Sequence, residues 1–440
     1  MNLILLTSIP VWVLIPFVIM LLSIAVAPLV AEHIWESNRN KLIVSLILGI
    51  PTAVWLIANG MSHDLIHQMV FDYIPFIILL LALFVVTGGI HIGGNLDAKP
   101  AVNTVFLAIG AIIASFTGTT GAAMLLIRPL ININKNRTYK VHTILFFIAV
   151  VANHGGLLTP LGDPPLFLLF LKGVPFLWFT TMLPEWCFVN GILLLLYFLI
   201  ELHFYHKERK INIIMDVAPT KEKKHLHITG LINFGFLALI VLSVAFLNAN
   251  TLDIMKQDGP IWAKFIREYA LIAIILCSWF FTKKEIRTAN KYTWTPIIEV
   301  AVLFIGIFAT MTPALLFLRE HAGSLGITKP WQFLYASGSL SAFLDNAPTA
   351  LAFYNVAEGL APFPEHLELI AGIPEALLKA VAVGSVFCGA MTYIGDGPNF
   401  MVKSIAEENG IKMPSFFGYM LNFSLVVLLP VYILMQLIFI

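Results

Sequence analysis

The chain has 440 residues, of which 59% are hydrophobic and only 12% charged, against about 25% charged in an average soluble domain. Its 26 basic and 25 acidic residues nearly cancel, leaving a formal net charge of +1, so there is no strongly basic face to hold nucleic acid. That much apolar surface calls for a bilayer, and the fold class expected is an all-α membrane protein with lipid as its first partner.

A crossing needs about 20 apolar residues. In chain order, simple spans are predicted near 10–31, 41–60 and 72–91. The first has no basic n-region or small-residue cleavage site and reads as a retained helix. The stretch 101–131 is divided by a polar tip into arms of roughly 15 residues, about 22 Å each as helix. That is short of the roughly 30 Å of hydrocarbon, so a re-entrant hairpin is expected. An interrupted span near 138–172 and a simple one near 185–205 complete the first half, and the polar segment 206–227 reads as a solvated linker. The same order then returns: spans near 228–249, 266–282 and 295–318, a hairpin at 331–360, a broken span at 376–402 and a last span at 415–439. The expectation is about ten transmembrane helices in two repeats, 1–205 and 228–440; five crossings per half make the second repeat inverted.

Under this count, nineteen of the 26 Lys and Arg fall on the face that carries the linker. By the positive-inside rule that face is cytoplasmic, with both termini outside. The expected location is a bacterial inner membrane. Cys187, Cys277 and Cys388 lack metal-ligand spacing and read as small buried hydrophobes. Trp35, Trp178 and Trp186 read as interfacial anchors.

The two broken spans carry matching interruptions. The first is Thr159-Pro160-Leu161-Gly162-Asp163-Pro164-Pro165, and the second is Thr392-Tyr393-Ile394-Gly395-Asp396-Gly397-Pro398. Gly, Pro and Asp cannot sustain a helix there, and unwound backbone at membrane depth is tolerated where it lines a cavity. Corresponding breaks in two halves point to the binding site. The hairpin tips, Phe116-Thr117-Gly118-Thr119-Thr120-Gly121 and Leu344-Asp345-Asn346-Ala347-Pro348-Thr349, offer helix ends to ions. The candidate ion- or substrate-binding set is Thr117, Gly118, Thr119, Thr120, Asn153, Gly155, Gly156, Thr159 and Asp163 from the first half, with Asp345, Asn346, Thr349, Gly389, Thr392, Gly395, Asp396 and Asn399 from the second.

Asp163, Asp345 and Asp396 are costly at membrane depth unless protonated, paired with a cation or wet. Neither tip and neither break contains Lys or Arg, so Na⁺ at these aspartates, or H⁺, is the natural partner, and no organic cofactor is expected. A purely structural role is open to each: Asp163 and Asp396 as caps of the resuming helix, Asp345 as N-cap of the second hairpin arm. His154 reads either as a proton relay or as a neutral, hydrogen-bonded side chain. Glu299 reads as an interfacial carboxylate. His91, among glycines, has no evident partner.

The signature Asn153-His154-Gly155-Gly156-Leu157-Leu158-Thr159-Pro160-Leu161-Gly162-Asp163-Pro164-Pro165, with its second-half counterpart and the two small-residue hairpin tips, resembles the ion transporter superfamily. That group holds sodium/proton antiporters of the NhaD type, arsenite permeases, citrate–metal transporters and divalent-anion/sodium symporters. The resemblance covers nearly the whole chain. It implies an inverted-repeat fold, a homodimer held by a scaffold domain, and a transport domain that carries both hairpins in an elevator motion. In the carboxylate symporters the tips carry Ser-Asn-Thr; here Thr117-Gly118-Thr119 lacks the Asn, and Asp345-Asn346-Ala347-Pro348-Thr349 gains an acid. These departures look more like the sodium/proton antiporters. The leading expectation is Na⁺(Li⁺)/H⁺ antiport, not enzymatic catalysis. The alternatives are a Na⁺- or H⁺-coupled citrate or dicarboxylate carrier, oxyanion efflux and, remotely, an intramembrane aspartyl protease, in which the paired hairpins would have no role.

Overall fold

The computed structural model describes residues 9–35, 37–94, 96–214, 227–256 and 258–440; the centre of the linker expected at 206–227 lies outside the described residues. The described chain is almost entirely helical, with two short two-stranded ribbons. One ribbon pairs β1 (His91–Gly93) with β2 (His227–Thr229), joining the two halves.

The first half opens with α1 (Ile15–Val30), α2 (Asn38–Ala58) and α3 (Ser62–Thr87). α3 begins ten residues before the span predicted at 72–91. Ser62, His63, Asp64 and His67 are polar yet helical, and a π-helical stretch over Gln68–Tyr73 carries the helix through Asp72. Asp72 accepts a 2.8 Å hydrogen bond from Lys172, and a carboxylate paired in this way need not end an apolar helix. α4 (Pro100–Thr117) and α5 (Thr119–Ile133) follow, joined by Gly118 alone and packed on each other. Gly118 has φ +78°, which L side chains resist, so a glycine is required at this tip. α4, at 18 residues, is longer than the arm expected from the sequence. α6 (Val141–Val150), a 3₁₀ turn over His154–Leu158 and α7 (Pro164–Leu171) form the broken segment, and α8 (Leu183–Ile214) closes the half with 32 residues.

The second half runs in the same order: α9 (Ile232–Phe246), α10 (Ile266–Phe281), α11 (Thr295–His321), the hairpin α12 (Pro330–Ser341) and α13 (Asn346–Gly359), then α14 (Glu375–Cys388), α15 (Gly397–Glu408) and α16 (Phe416–Phe439). Eight helical stretches among the described residues are long and apolar enough to cross a bilayer, and α5 and α9 are shorter apolar helices.

The halves interlock. α2 packs on α11, and α10 packs on α3. The first crossing is close because its contacts are small: a Cβ at Gly306 would meet Ser45 at 2.7 Å, and one at Gly49 would meet Ala309 at 3.4 Å. With lipid on the outside there is little hydrophobic drive between helices, so such small-residue contacts carry the association. Lys41 of α2 reaches Glu299 of α11 at 2.6 Å, which gives the interfacial carboxylate a specific partner.

A second polar cluster ties α8 to the first hairpin. Glu201, fully buried, takes hydrogen bonds from Arg137 (2.5 Å) and Asn103 (3.1 Å) and lies 2.6 Å from His142 Nε2. Arg137 also pairs with Glu208. Burial works against the Arg137 charge, but the two carboxylates more than offset it and hold the guanidinium pKa above its usual value. Other expectations need correcting. Trp178 is buried and donates to Glu375 at 2.8 Å, and Trp35 is buried too, so neither is an outward anchor. Cys187 is exposed and not a buried hydrophobe. His91 does have a partner: its Nδ1 lies 2.7 Å from the Asn290 Oδ1.

Candidate functional site

The two breaks adopt the same backbone. Thr159 and Thr392 are extended, at φ/ψ −144°/159° and −141°/167°, and Asp163 and Asp396 sit at −145°/142° and −146°/144°. The reason lies in the shared Thr-x-x-Gly-Asp residues. Each Thr hydroxyl donates to a carbonyl at the end of the first arm of its own hairpin: Thr159 to Ser115, and Thr392 to Ala342 at 2.5 Å. Each hydroxyl also accepts from the backbone N–H two residues on, Leu161 (3.1 Å) and Ile394 (3.2 Å). Thr159 and Thr392 thus staple break to hairpin, and their hydroxyls are already engaged. Gly162 N–H closes the first loop onto the Thr159 carbonyl. The glycines let the loops fold tightly: a Cβ at Gly155 would meet the Ala111 carbonyl at 2.7 Å, one at Gly156 the Gly162 carbonyl at 2.7 Å, and one at Gly395 the Gly389 carbonyl at 2.5 Å.

The carboxylates differ in their surroundings. Asp163 is 1% exposed and fully partnered: Thr119 donates to its Oδ1 at 2.9 Å, and Asn346, from the other half, donates to its Oδ2 at 3.1 Å. The Thr119 N–H also reaches the Gly162 carbonyl at 2.8 Å. Asp396 is 5% exposed, makes no cap to the helix after it, and its Oδ2 has no hydrogen-bond partner. Asp345 caps α13 by accepting from Ala347 N–H at 3.0 Å. The cap expected at Asp163 is likewise not formed.

The amides join the halves at the same level. Asn153 donates to Asn399 Oδ1 at 2.6 Å, and Asn399 donates to the carbonyls of Gly389 (2.8 Å) and Thr392 (2.9 Å). Asn153 Oδ1 is buried and unpartnered. A Cβ at Gly389 would lie 2.5 Å from Asn346 Oδ1 and 2.9 Å from Asn153 Oδ1, so these two oxygens crowd around Gly389. Buried acceptors without donors are costly to leave unmatched, and Asn153 Oδ1, beside Gly389, and Asp396 Oδ2 are oxygens of the kind that a hard cation takes. No group of three or more His, Cys, Asp or Glu side chains converges among the described residues, so such a cation would draw on amide and backbone oxygens as well as on carboxylate.

The other tip residues make local contacts. Thr117 donates to the Ile113 carbonyl at 3.0 Å, Thr349 donates to the Asp345 carbonyl at 3.0 Å, and Thr120 is half-buried. His154 is fully buried, and its Nε2 lies 2.6 Å from the Tyr432 hydroxyl, which donates to the Phe387 carbonyl. Sequence reasoning missed three serines. Ser115 donates to the Gly155 carbonyl at 2.5 Å, Ser341 bridges Asn346 Oδ1 (2.5 Å) and the Ser385 carbonyl (2.6 Å), and Ser385 closes on its own helix. Their only signal was position, in the last turn of a hairpin arm or facing it.

The geometry is that of two unwound helices and two hairpin tips meeting around buried oxygen acceptors in an apolar helical protein, an arrangement suited to moving a solute across a membrane. Comparison with curated proteins returns no match. Over residues 6–440, nearly its whole length, the chain matches the model of a transporter family described as "Putative citrate transport", and it belongs to that family.

Proposed function

We propose that this protein is a secondary active carrier of citrate or a related polycarboxylate, moved together with Na⁺ or H⁺. The observation that carries the reading is a site rich in buried acceptors and free of Lys and Arg: Asp163, Asp396 and the Asn153 amide face the meeting of the halves, with Asp345 at the second tip. A polyanion cannot enter beside these aspartates unless cations neutralise them first, so anion uptake at this site is obligatorily coupled. The family match supports the carboxylate. Thr119, Asn153, Asp163, Asn346, Asp396 and Asn399 are the assigned core of the site, with Gly389 as the point of closest approach.

The transport cycle is an elevator-type motion of the two hairpins with their breaks, in a homodimer of inverted repeats with both termini outside a bacterial inner membrane. Its topology is supported by the ion pairs: Lys41–Glu299, Arg137–Glu201, Lys172–Asp72, Arg319–Glu358 and Lys379–Glu185 each join two residues that the span count assigns to one face.

A second reading, Na⁺(Li⁺)/H⁺ antiport without a carboxylate, is favoured by the unpartnered Oδ2 of Asp396, an acceptor able to exchange one cation for another. Purified protein in liposomes with labelled citrate and a trapped pH dye separates the two. Citrate accumulation driven by an imposed Na⁺ or H⁺ gradient establishes the carrier. Collapse of the proton gradient by Na⁺ or Li⁺ alone, with no citrate uptake, establishes the antiporter.

A further inference from the structure

Away from the tips, a polar cavity of about 270 Å³ opens between β1, the end of α5, residues 289–291 and the end of α15. We propose that it is a vestibule for polycarboxylate anions on the linker-bearing face, the intake site when transport starts from that face, with Arg128 as the residue that reads the carboxylate. This deepens the citrate reading and rests on it for the identity of the cargo.

The first support is Arg128 itself. It is half-buried on α5 and lines the cavity. Among the described residues it has no hydrogen bond or ion pair, whereas the other arginines that are not exposed are engaged: Arg137 with Glu201 and Glu208, Arg267 with Glu268, and Arg287 with the Val85 carbonyl. A guanidinium held in a polar cavity without a partner presents a fork matched to carboxylate oxygens.

The second support is the wall. Lys291 adds a cation, and Glu408 is the sole acid among the lining residues. Asn290 fixes this side by donating to the carbonyls of Gly88 (3.0 Å) and Ile90 (2.6 Å) while its Oδ1 meets His91 Nδ1. The volume lies just under the roughly 300 Å³ at which small-molecule sites begin.

The third is position. Arg128 stands nine residues beyond Thr119 on the same helix, about 13 Å along its axis. Between them lies a small cavity of about 20 Å³, bounded by Thr87, Gly121 and Tyr292, which shares Met124, Leu125 and Asn290 with the intake. A Cβ at Gly121 would meet Thr87 at 3.1 Å, so α5 and α3 lie close together on the tip side of this small cavity. The aspartates of the site repel a polyanion, and a cationic chamber on the linker-bearing face holds and orients it as it exchanges with the site.

The test uses the full chain in phosphatidylcholine liposomes, and two readouts. The first is citrate transport. Arg128→Gln is expected to raise the KM for citrate about tenfold, a loss of about 1.4 kcal/mol, with the maximal rate within about twofold of wild type. Arg128→Lys is expected to recover part of that affinity. The second readout is independent of transport: citrate slows labelling of an Asn132→Cys reporter, in a Cys187→Ser background, by a membrane-impermeant thiol reagent, and Arg128→Gln removes the protection. If wild type carries no citrate yet citrate still protects the reporter, the carrier reading fails and the intake site stands. If citrate is carried but Arg128→Gln alters neither KM nor protection, the intake site is overturned. It is equally overturned if phosphatidylglycerol in the vesicles protects the reporter and cancels the citrate effect, since the cavity then holds a lipid headgroup.

Discussion

The first and second breaks share a backbone and differ in what their aspartates meet. Asp163 is held by Thr119 from its own hairpin and by Asn346 from the other half, so it locks the two halves together. Asp396, in the same loop conformation, keeps an oxygen with no partner. The difference arises at the tips. Thr119 and Asn346 both donate toward Asp163, while the second tip spends its acid, Asp345, on capping α13. The same loop shape thus supplies a post between the halves on one side and an unpartnered buried oxygen on the other.

The comparison breaks most visibly if the two aspartates respond alike. Asp396→Asn is expected to reduce coupled transport more than about 100-fold, equivalent to about 2.7 kcal/mol of lost cation binding, in protein that still elutes as a monodisperse peak. Asp163→Ala strands Thr119 and Asn346, each buried donor costing about 1–3 kcal/mol; its main expected effect is a lower unfolding temperature by light-scattering-monitored denaturation. Wild-type transport in Asp396→Asn would place the open ligand elsewhere.

Gly389→Ala sharpens the contrast from the neighbouring side. Its methyl group would collide with Asn346 Oδ1 and Asn153 Oδ1, so transport is expected to fall about 30-fold, about 2 kcal/mol, while Gly191→Ala, where an added Cβ meets nothing, serves as the silent control. Asp345→Asn is a smaller step. Asn caps a helix about as well as Asp, so α13 stays intact and the change reports charge alone; a KM for the driving cation raised about tenfold is expected, about 1.4 kcal/mol. An unchanged KM would leave Asp345 as a cap. The smallest effect expected is Thr117→Val, which removes a hydroxyl that donates to the Ile113 and Gly118 carbonyls, worth about 1 kcal/mol, and should leave citrate or Na⁺ kinetics within about twofold.

Much of this was legible in the sequence because it depends on residues with few alternatives. Gly162, Pro164 and Gly395 cannot continue a helix, so both breaks fell where the Thr-x-x-Gly-Asp runs placed them, and Gly118 marked the first tip. The start of α3 was not legible: Asp72 ends an apolar run on paper, and only Lys172, a hundred residues on, makes it tolerable. The roles of the hydroxyls were also hidden. Thr159 and Thr392 read as ion ligands, yet the carbonyls of Ser115 and Ala342 claim them, and those partners lie on another element about 45 to 50 residues away. Nor could the sequence distinguish Asp163 from Asp396, because what separates them is a crossing from the opposite half.

The length of α8 has a mechanical consequence. Its 32 residues extend about 48 Å, well beyond roughly 30 Å of hydrocarbon even when tilted. Its far end is bolted to Asn103, Arg137 and His142 through Glu201 and Glu208. Sliding the first hairpin past α8 would tear a buried guanidinium from two carboxylates at once, a penalty far above that of parting apolar surfaces. The boundary of the moving body in any piston-like stroke therefore cannot fall between the first hairpin and α8. In such a stroke α8 would travel as the shaft of the moving part, not stand as the rail on which that part slides.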